Sequence, residues 1–261
     1  MNNRSSRRLL STSVLLFLIA LVSVTAATVA WMTIADHTRV NTMRIDVTTG
    51  ANLRFDLDPH EEFDDYVKQL RFDDIAARIA RDQGYRPQDN PLTPVTTGNC
   101  VSFVLEDGAG AKKEYYLDFT LHFMATTDMV VHLTSAGVGG TKIMSPNAAL
   151  PPAMRISFTA DGATSVYHPG MSGSSRPGYG GKVFGLASSD SIVYDESNTL
   201  FTLKEGVDKE VHVRIWLEGT DPNCTDDLRG AEYSIQLRFV GTDENGNIME
   251  DAHSAAHRKG E

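Results

Sequence analysis

Tyr115-Tyr116-Leu117-Asp118-Phe119-Thr120-Leu121-His122-Phe123-Met124 decides the fold class. Tyr115, Leu117, Phe119, Leu121 and Phe123 alternate with Tyr116, Asp118, Thr120, His122 and Met124. Successive side chains of a strand point to opposite faces, so this pattern sets an apolar face against a mixed one. A half-buried antiparallel strand has that composition. The pattern recurs toward the C-terminus. Val211, Val213, Ile215 and Leu217 alternate with His212, Arg214, Trp216 and Glu218, and Ile235, Leu237 and Phe239 alternate with Gln236 and Arg238. Ile215 and Trp216 therefore fall on opposite faces. Weaker versions run over Met43–Val47, Leu53–Leu57, Val101–Leu105, Met129–Leu133 and Met154–Phe158. Strands at this density, divided by Gly, Asp, Asn and Pro turns, predict an all-β, mainly antiparallel sandwich or jelly roll.

One stretch breaks the alternation. Asp58-Pro59-His60-Glu61 carries an N-cap, a Pro at the first helical position and an acid behind it. Phe63, Val67 and Leu70 follow at helical spacing, Asp73 restarts a helix carrying Ile75 and Ile79, and Gly84 supplies a stop. The spacing predicts a short helical insertion near residues 59–83, followed by a connecting loop over 86–98. His168 to Asp190, rich in Gly and Ser, reads as a long mobile surface loop. Residues 243–261 read as a polar, disordered tail.

Outward from the strands, the N-terminal end has a different build. Arg4, Arg7 and Arg8 precede an uncharged segment whose centre, Val14 to Val22, is wholly apolar, and small residues follow. A basic region, an apolar core and a small-residue exit predict a signal peptide over residues 1–30, with Ala26, Ala27 and Ala30 as cleavage candidates. A retained signal anchor is the other reading, since the uncharged stretch approaches the length of a spanning helix. Both place the β-sandwich, residues 31–242, outside the cytoplasm, secreted or at the cell surface. Membrane contact is then expected only through an uncleaved leader.

Charge and cysteine content bound the chemistry. The chain carries a net charge of −10, and the leader's three arginines account for none of the acid, so the remainder stands at −13. An acidic exported domain is repelled by nucleic acid and by anionic lipid, and no nucleic-acid partner is expected. Cys100 and Cys224, the only two cysteines, are disulfide candidates in an oxidising compartment. Such a bond closes a long loop and is worth about 4–5 kcal/mol in the chain-entropy model. Two buried, unpaired thiols are the alternative.

Chemistry-bearing motifs are sparse. Gly181-Lys182 lies in a glycine-rich stretch, but a phosphate-binding loop needs a glycine where Arg176 stands and Ser or Thr where Val183 stands. His122, His132 and His212 fall on the less apolar strand faces, so three imidazoles meeting at a point would suit zinc; solvent-facing strand histidines are the plainer reading. His253 and His257 are four apart, but Ser254 stands where an HExxH helix needs glutamate. Glu218-Gly219-Thr220-Asp221 with Asp226-Asp227, and Asp243-Glu244-Asn245-Gly246-Asn247, are oxygen-rich turns that calcium could use, without EF-hand spacing. No GxSxG is present. No cofactor, metal or enzymatic activity is expected from these residues.

Ala26-Ala27-Thr28-Val29-Ala30-Trp31-Met32-Thr33 resembles the exit of SipW-dependent signals of Gram-positive bacteria, in which Ala-x-x-Ala runs into an aromatic residue. Tyr115–Leu121, Ala153–Phe158 and Arg214–Cys224 resemble exported clostridial-type proteins whose nearest understood relatives are the TasA/camelysin biofilm-fibre proteins. The resemblance covers much of the chain. It implies a jelly-roll-like domain, a matrix or surface-fibre role, and self-association or binding to cell-surface and matrix components. Some camelysin relatives are described as metalloproteases, an activity for which this chain lacks the HExxH helix. Thr38 to Val47 reads as a strand with Met43, Ile45 and Val47 on one face, which either pairs within its own domain as the first strand of a monomer or fills an open sheet edge of a neighbour; these are the donor-strand candidates. Two other readings stand beside the fibre: a monomeric binding module, for carbohydrate or protein, using Trp216 or the Gly-rich loop, and a metal-dependent peptidase.

Overall fold

The computed structural model describes residues 40–47 (as backbone), 52–135, 139–171, 175–187 and 192–249. In chain order the strands are β1 (Val40–Val47), β2 (Leu53–Asp56), β3 (Gln69–Arg71), β4 (Thr96–Thr97), β5 (Phe103–Val104), β6 (Leu117–Ala125), β7 (Met129–Leu133), β8 (Lys142–Met144), β9 (Met154–Ala160), β10 (Ala163–Tyr167), β11 (Arg176–Gly178), β12 (Gly181–Phe184), β13 (Thr199–Leu203), β14 (Lys209–Leu217) and β15 (Tyr233–Thr242). The fold is all-β. A six-stranded sheet runs β13-β7-β15-β1-β3, with β8 also on β15, and a seven-stranded sheet runs β11-β12-β10-β9-β14-β6-β2. Most pairings are antiparallel; β1 with β15 and β10 with β12 are parallel.

The two sheets meet face to face because the alternation of β6, β14 and β15 holds throughout. Leu117, Phe119, Leu121, Val213, Ile215, Leu237 and Phe239 all point into one main core. Phe239 of the six-stranded sheet lies at ring-centroid distances of 5.1 Å from Phe123, 5.8 Å from Phe158 and 6.0 Å from Phe55, all three on the seven-stranded sheet. Tilted and edge-to-face aromatic contacts of this kind add about 0.5–1.5 kcal/mol each beyond their buried area.

The outer face of the seven-stranded sheet is partly covered as well. Trp216, opposite in facing to Ile215, belongs to a second cluster with Val95, Cys100, Phe103, Tyr116, Val166 and Val183. The β4–β5 hairpin lies over this cluster. Phe103 stacks on Tyr116 at 4.1 Å and meets Trp216 edge-on at 5.4 Å.

The helical insertion is shorter than expected and starts later. Within the insertion only Phe72–Gln83 forms an α-helix, α1. Its first turn holds Asp73 and Asp74, the latter accepting a hydrogen bond from the Arg71 amide at 3.1 Å, and Gly84 ends it with φ of 79°. Phe72, Ile75, Ala76 and Ile79 form the buried stripe. Upstream, Phe63, Val67 and Leu70 do not share a helix. Phe63 sits in a 3-10 turn under the Arg54 guanidinium, Val67 bridges to Phe55, and Leu70 lies on β3. Asp58 is an ion-pair partner of Arg78, at 2.5 Å, and not a helix cap.

The Gly-rich stretch also differs from its reading as a loop. Within it β11 and β12 form a hairpin at the sheet's edge, and Val183 and Phe184 are buried. The chain beyond Thr242 stays structured to Met249. Asp243 accepts hydrogen bonds from the Asn245 and Asn247 amides, both at 2.9 Å, and Thr242 bridges to Ile248. Residues 250–261 lie outside the described residues. Among the described residues no helix is long and apolar enough to cross a membrane.

Candidate functional site

A polar cavity lies on the outer face of the seven-stranded sheet, beside the Trp216 cluster. Arg155 of β9 and Trp216 of β14 are register partners, so both point outward. The short turn Leu150–Ala153 delivers the chain into β9 so that Arg155 folds back on it. One guanidinium nitrogen donates to the carbonyls of Pro152 and Met154, at 2.6 and 2.8 Å; the other donates to Asp221 Oδ2 at 2.5 Å. The side chains of this Arg155–Asp221 pair are only 5% and 6% exposed. Glu218 is also buried. It accepts from the Trp216 indole N–H at 3.0 Å and from the Thr220 hydroxyl at 2.7 Å.

Around this charged floor the walls are supplied by loops. His168 follows β10, with Nε2 3.8 Å from Asp221 Oδ2. Tyr179 sits at the β11–β12 turn with φ of 54°, its ring edge-on to Trp216 at 5.5 Å. Arg176 of β11 stands exposed at the mouth. The cleft is open to solvent and has a volume of about 420 Å³, within the range of small-molecule sites.

Electrostatics fix the protonation states. Burial lowers the His168 pKa to about 4, and the nearby Arg155 charge adds to that, so the imidazole is neutral at physiological pH. Burial pushes the Asp221 carboxyl up, but hydrogen bonds from Asn223 and Arg155 outweigh it and the net shift is down. Burial, then the Glu218 charge, raises the Tyr179 phenol. The cavity thus holds a compensated ion pair, a neutral imidazole and a protonated phenol. It can offer hydrogen-bond donors and acceptors side by side.

The residues singled out in the sequence fall elsewhere or in other roles. Cys100 and Cys224, the disulfide candidates, are free thiols. Cys100 belongs to the Trp216 cluster whereas Cys224 packs on the main core, so the fold assigns them to different clusters. Trp216 is fully buried, which removes it as a stacking platform for a sugar. Glu218 and Asp221, the first calcium candidates, are engaged by Trp216, Thr220, Arg155 and Asn223, and Asp243 closes its own turn. His122 pairs with Asp208 at 2.9 Å, His212 with Glu210 at 3.1 Å, and His132 lies on the other sheet, 2.7 Å from Asn198. The three imidazoles do not converge, and among the described residues no group of three His, Cys, Asp or Glu is placed to hold a metal. Lys182, whose surroundings lack the phosphate-loop pattern, donates to the Glu196 carbonyl from strand β12. The cleavage candidates Ala26, Ala27 and Ala30 lie outside the described residues. The donor-strand candidates Met43, Ile45 and Val47 lie on β1, in register with Ile235, Leu237 and Phe239.

Arg155, His168, Arg176 and Tyr179 were not legible as a group. Arg155 sits in an alternating strand, where a charge reads as solvent-facing, and its acid lies far along the chain. The one local signal was Pro177-Gly178-Tyr179-Gly180-Gly181, whose glycines mark a backbone that turns tightly. Comparison with known protein families, with characterised proteins and with solved structures gave no match.

Proposed function

We propose that this chain is an exported structural protein of a cell surface or extracellular matrix, which self-associates by exchange of its N-terminal strand. The observation that carries the reading is the position of β1. It lies between β15 and β3 and runs parallel to β15, with Thr42–Val47 in register with Ser234–Phe239. An interior slot is thus filled by the strand that comes first in the described chain. A second copy could offer the same strand to the same slot, and because the contact is head-to-tail it would propagate without closing. The leader and the jelly-roll-like wrap implied by the resemblance belong to this reading. The test is sedimentation and electron microscopy of the exported protein with and without Val40–Val47. Expected are concentration-dependent filaments that the deletion abolishes and that a synthetic Val40–Val47 peptide caps. Monomers at every concentration would overturn it.

A second reading, a binding module, is favoured by the Arg155 cavity. It requires no assembly and can coexist with it.

A further inference from the structure

We infer that the Arg155 cavity binds one hexuronate unit, a polyhydroxylated ring bearing a single carboxylate, of an acidic polysaccharide. The inference rests on the binding-module reading and is independent of strand exchange.

Three observations select this chemistry. The first is the distribution of charge. Arg155 cannot reach outward, because Asp221 and the carbonyls of Pro152 and Met154 hold its terminal nitrogens. Arg176 is exposed at the mouth and makes no ion pair among the described residues. A carboxylate therefore finds its partner at the rim, where a charge-assisted bond to a guanidinium is strong. Second, the floor is acidic. Asp221 and Glu218 contribute to the lining, so a phosphate or sulfate ester would bring acceptors against acceptors. A hydroxyl can donate to Asp221 and accept from a neighbour. His168 lies beside that carboxylate, with Nε2 3.8 Å from Asp221 Oδ2. The third is the apolar edging. Pro152, Pro222 and the Tyr179 ring give C–H surfaces a place to rest between the polar groups.

A ligand with its charge at one edge and hydroxyls on the remainder meets all three conditions. A neutral hexose leaves Arg176 unused, and a simple carboxylate leaves the floor unused.

The test is a ligand-observed NMR titration of the full chain with D-glucuronate, D-glucose and acetate as separate probes, repeated with Arg176→Gln and with Asp221→Asn. Arg176 is exposed, so its replacement leaves the fold intact, which far-UV circular dichroism checks. Expected is millimolar binding of glucuronate, at least about tenfold tighter than glucose or acetate, with Arg176→Gln removing the preference over glucose. Asp221→Asn should weaken glucuronate and glucose alike. Equal affinity for glucose overturns the acidic-sugar assignment while sparing the binding-module reading. Equal affinity for acetate overturns the sugar ring, and no binding of any probe overturns the inference while leaving the binding-module reading with a protein partner.

Discussion

At the residue scale the Arg155–Asp221 pair is the main polar commitment of the fold. Removing one partner of a buried pair leaves the other charge stranded, at a cost of about 3–5 kcal/mol. Arg155 keeps two carbonyl acceptors if Asp221 is lost, so Asp221→Ala should fall at the low end, about 3 kcal/mol in urea denaturation. His168 beside the pair makes stability fall with acid. Its pKa is about 4 in the folded chain against about 6.5 when unfolded, so the unfolded state binds the proton first. Stability from this group is complete above pH 6.5 and drains as pH falls toward 4, by about 2 kcal/mol once water at the cavity mouth is allowed for. Asp221, whose carboxyl is held down, adds a further loss only below its unfolded pKa. Urea titrations from pH 7 to 4 should therefore show a steeper decline for the native sequence than for His168→Gln; parallel curves would remove His168 from the account. The cysteines give a separate check. Burial raises both thiols to about 11, so neither is a thiolate at neutral pH. Iodoacetamide should leave the native chain unmodified and add two adducts in urea without reductant. No adducts in urea would mean the two are bonded.

At the element scale, what the sequence revealed and what it concealed follow from locality. The strands β6, β14 and β15 were legible because each is long and one of its faces is buried throughout, so alternation survives. Strands β10, β11 and β12 were not, since Gly178, Gly180 and Gly181 interrupt the β11–β12 hairpin and the pairing of β12 with β10 is parallel and non-local. The glycines that suggested a loop serve instead to bring strands together. A Cβ at Gly181 would lie 2.0 Å from the Thr164 carbonyl oxygen. Gly181→Ala should therefore push β12 off β10, cost about 1–3 kcal/mol as overpacking, and speed amide exchange of Val166 and Phe184. Gly98→Ala, where the new methyl meets nothing within 4 Å, is the control. Helix α1 shows the opposite case. Its restart at Asp73, its stripe and its Gly84 stop were legible, yet the helical segment expected upstream from Asp58 does not form, and Asp58, a good cap by composition, is used by Arg78. Local signals name a possible cap; the tertiary partner decides whether it is used.

At the scale of the whole molecule, the two hydrophobic clusters are unequal, and the inequality predicts the order in which the structure opens. The main core is built from both sheets and α1. The second is a small group held under β4 and β5, two residues each. Subglobal opening starts where few apolar contacts and short hydrogen-bonded ladders hold a segment. The cover over residues 95–111 should therefore lift before the sandwich unfolds. Trp216 reports this directly, because it is fully buried by Phe103, Tyr116 and Tyr179 on that side while its backbone belongs to β14. In a Trp31→Phe background Trp216 is the only tryptophan. Its emission should shift red at lower urea than the far-UV circular dichroism transition. Phe103→Ala, which removes the ring stacked on Tyr116, should widen the gap by weakening the cover by about 3 kcal/mol while the main transition moves little. Cys100, in the same cluster, should become reactive to iodoacetamide over the range in which Trp216 shifts and before Cys224 does. Coincident transitions by fluorescence and circular dichroism, in both proteins, would mean that cover and sandwich fold as one cooperative unit. The cavity walled by Tyr179 would then be as rigid as the sheets beneath it. If the transitions separate, that wall moves with the cover, and binding at Arg176 should shift the fluorescence transition alone.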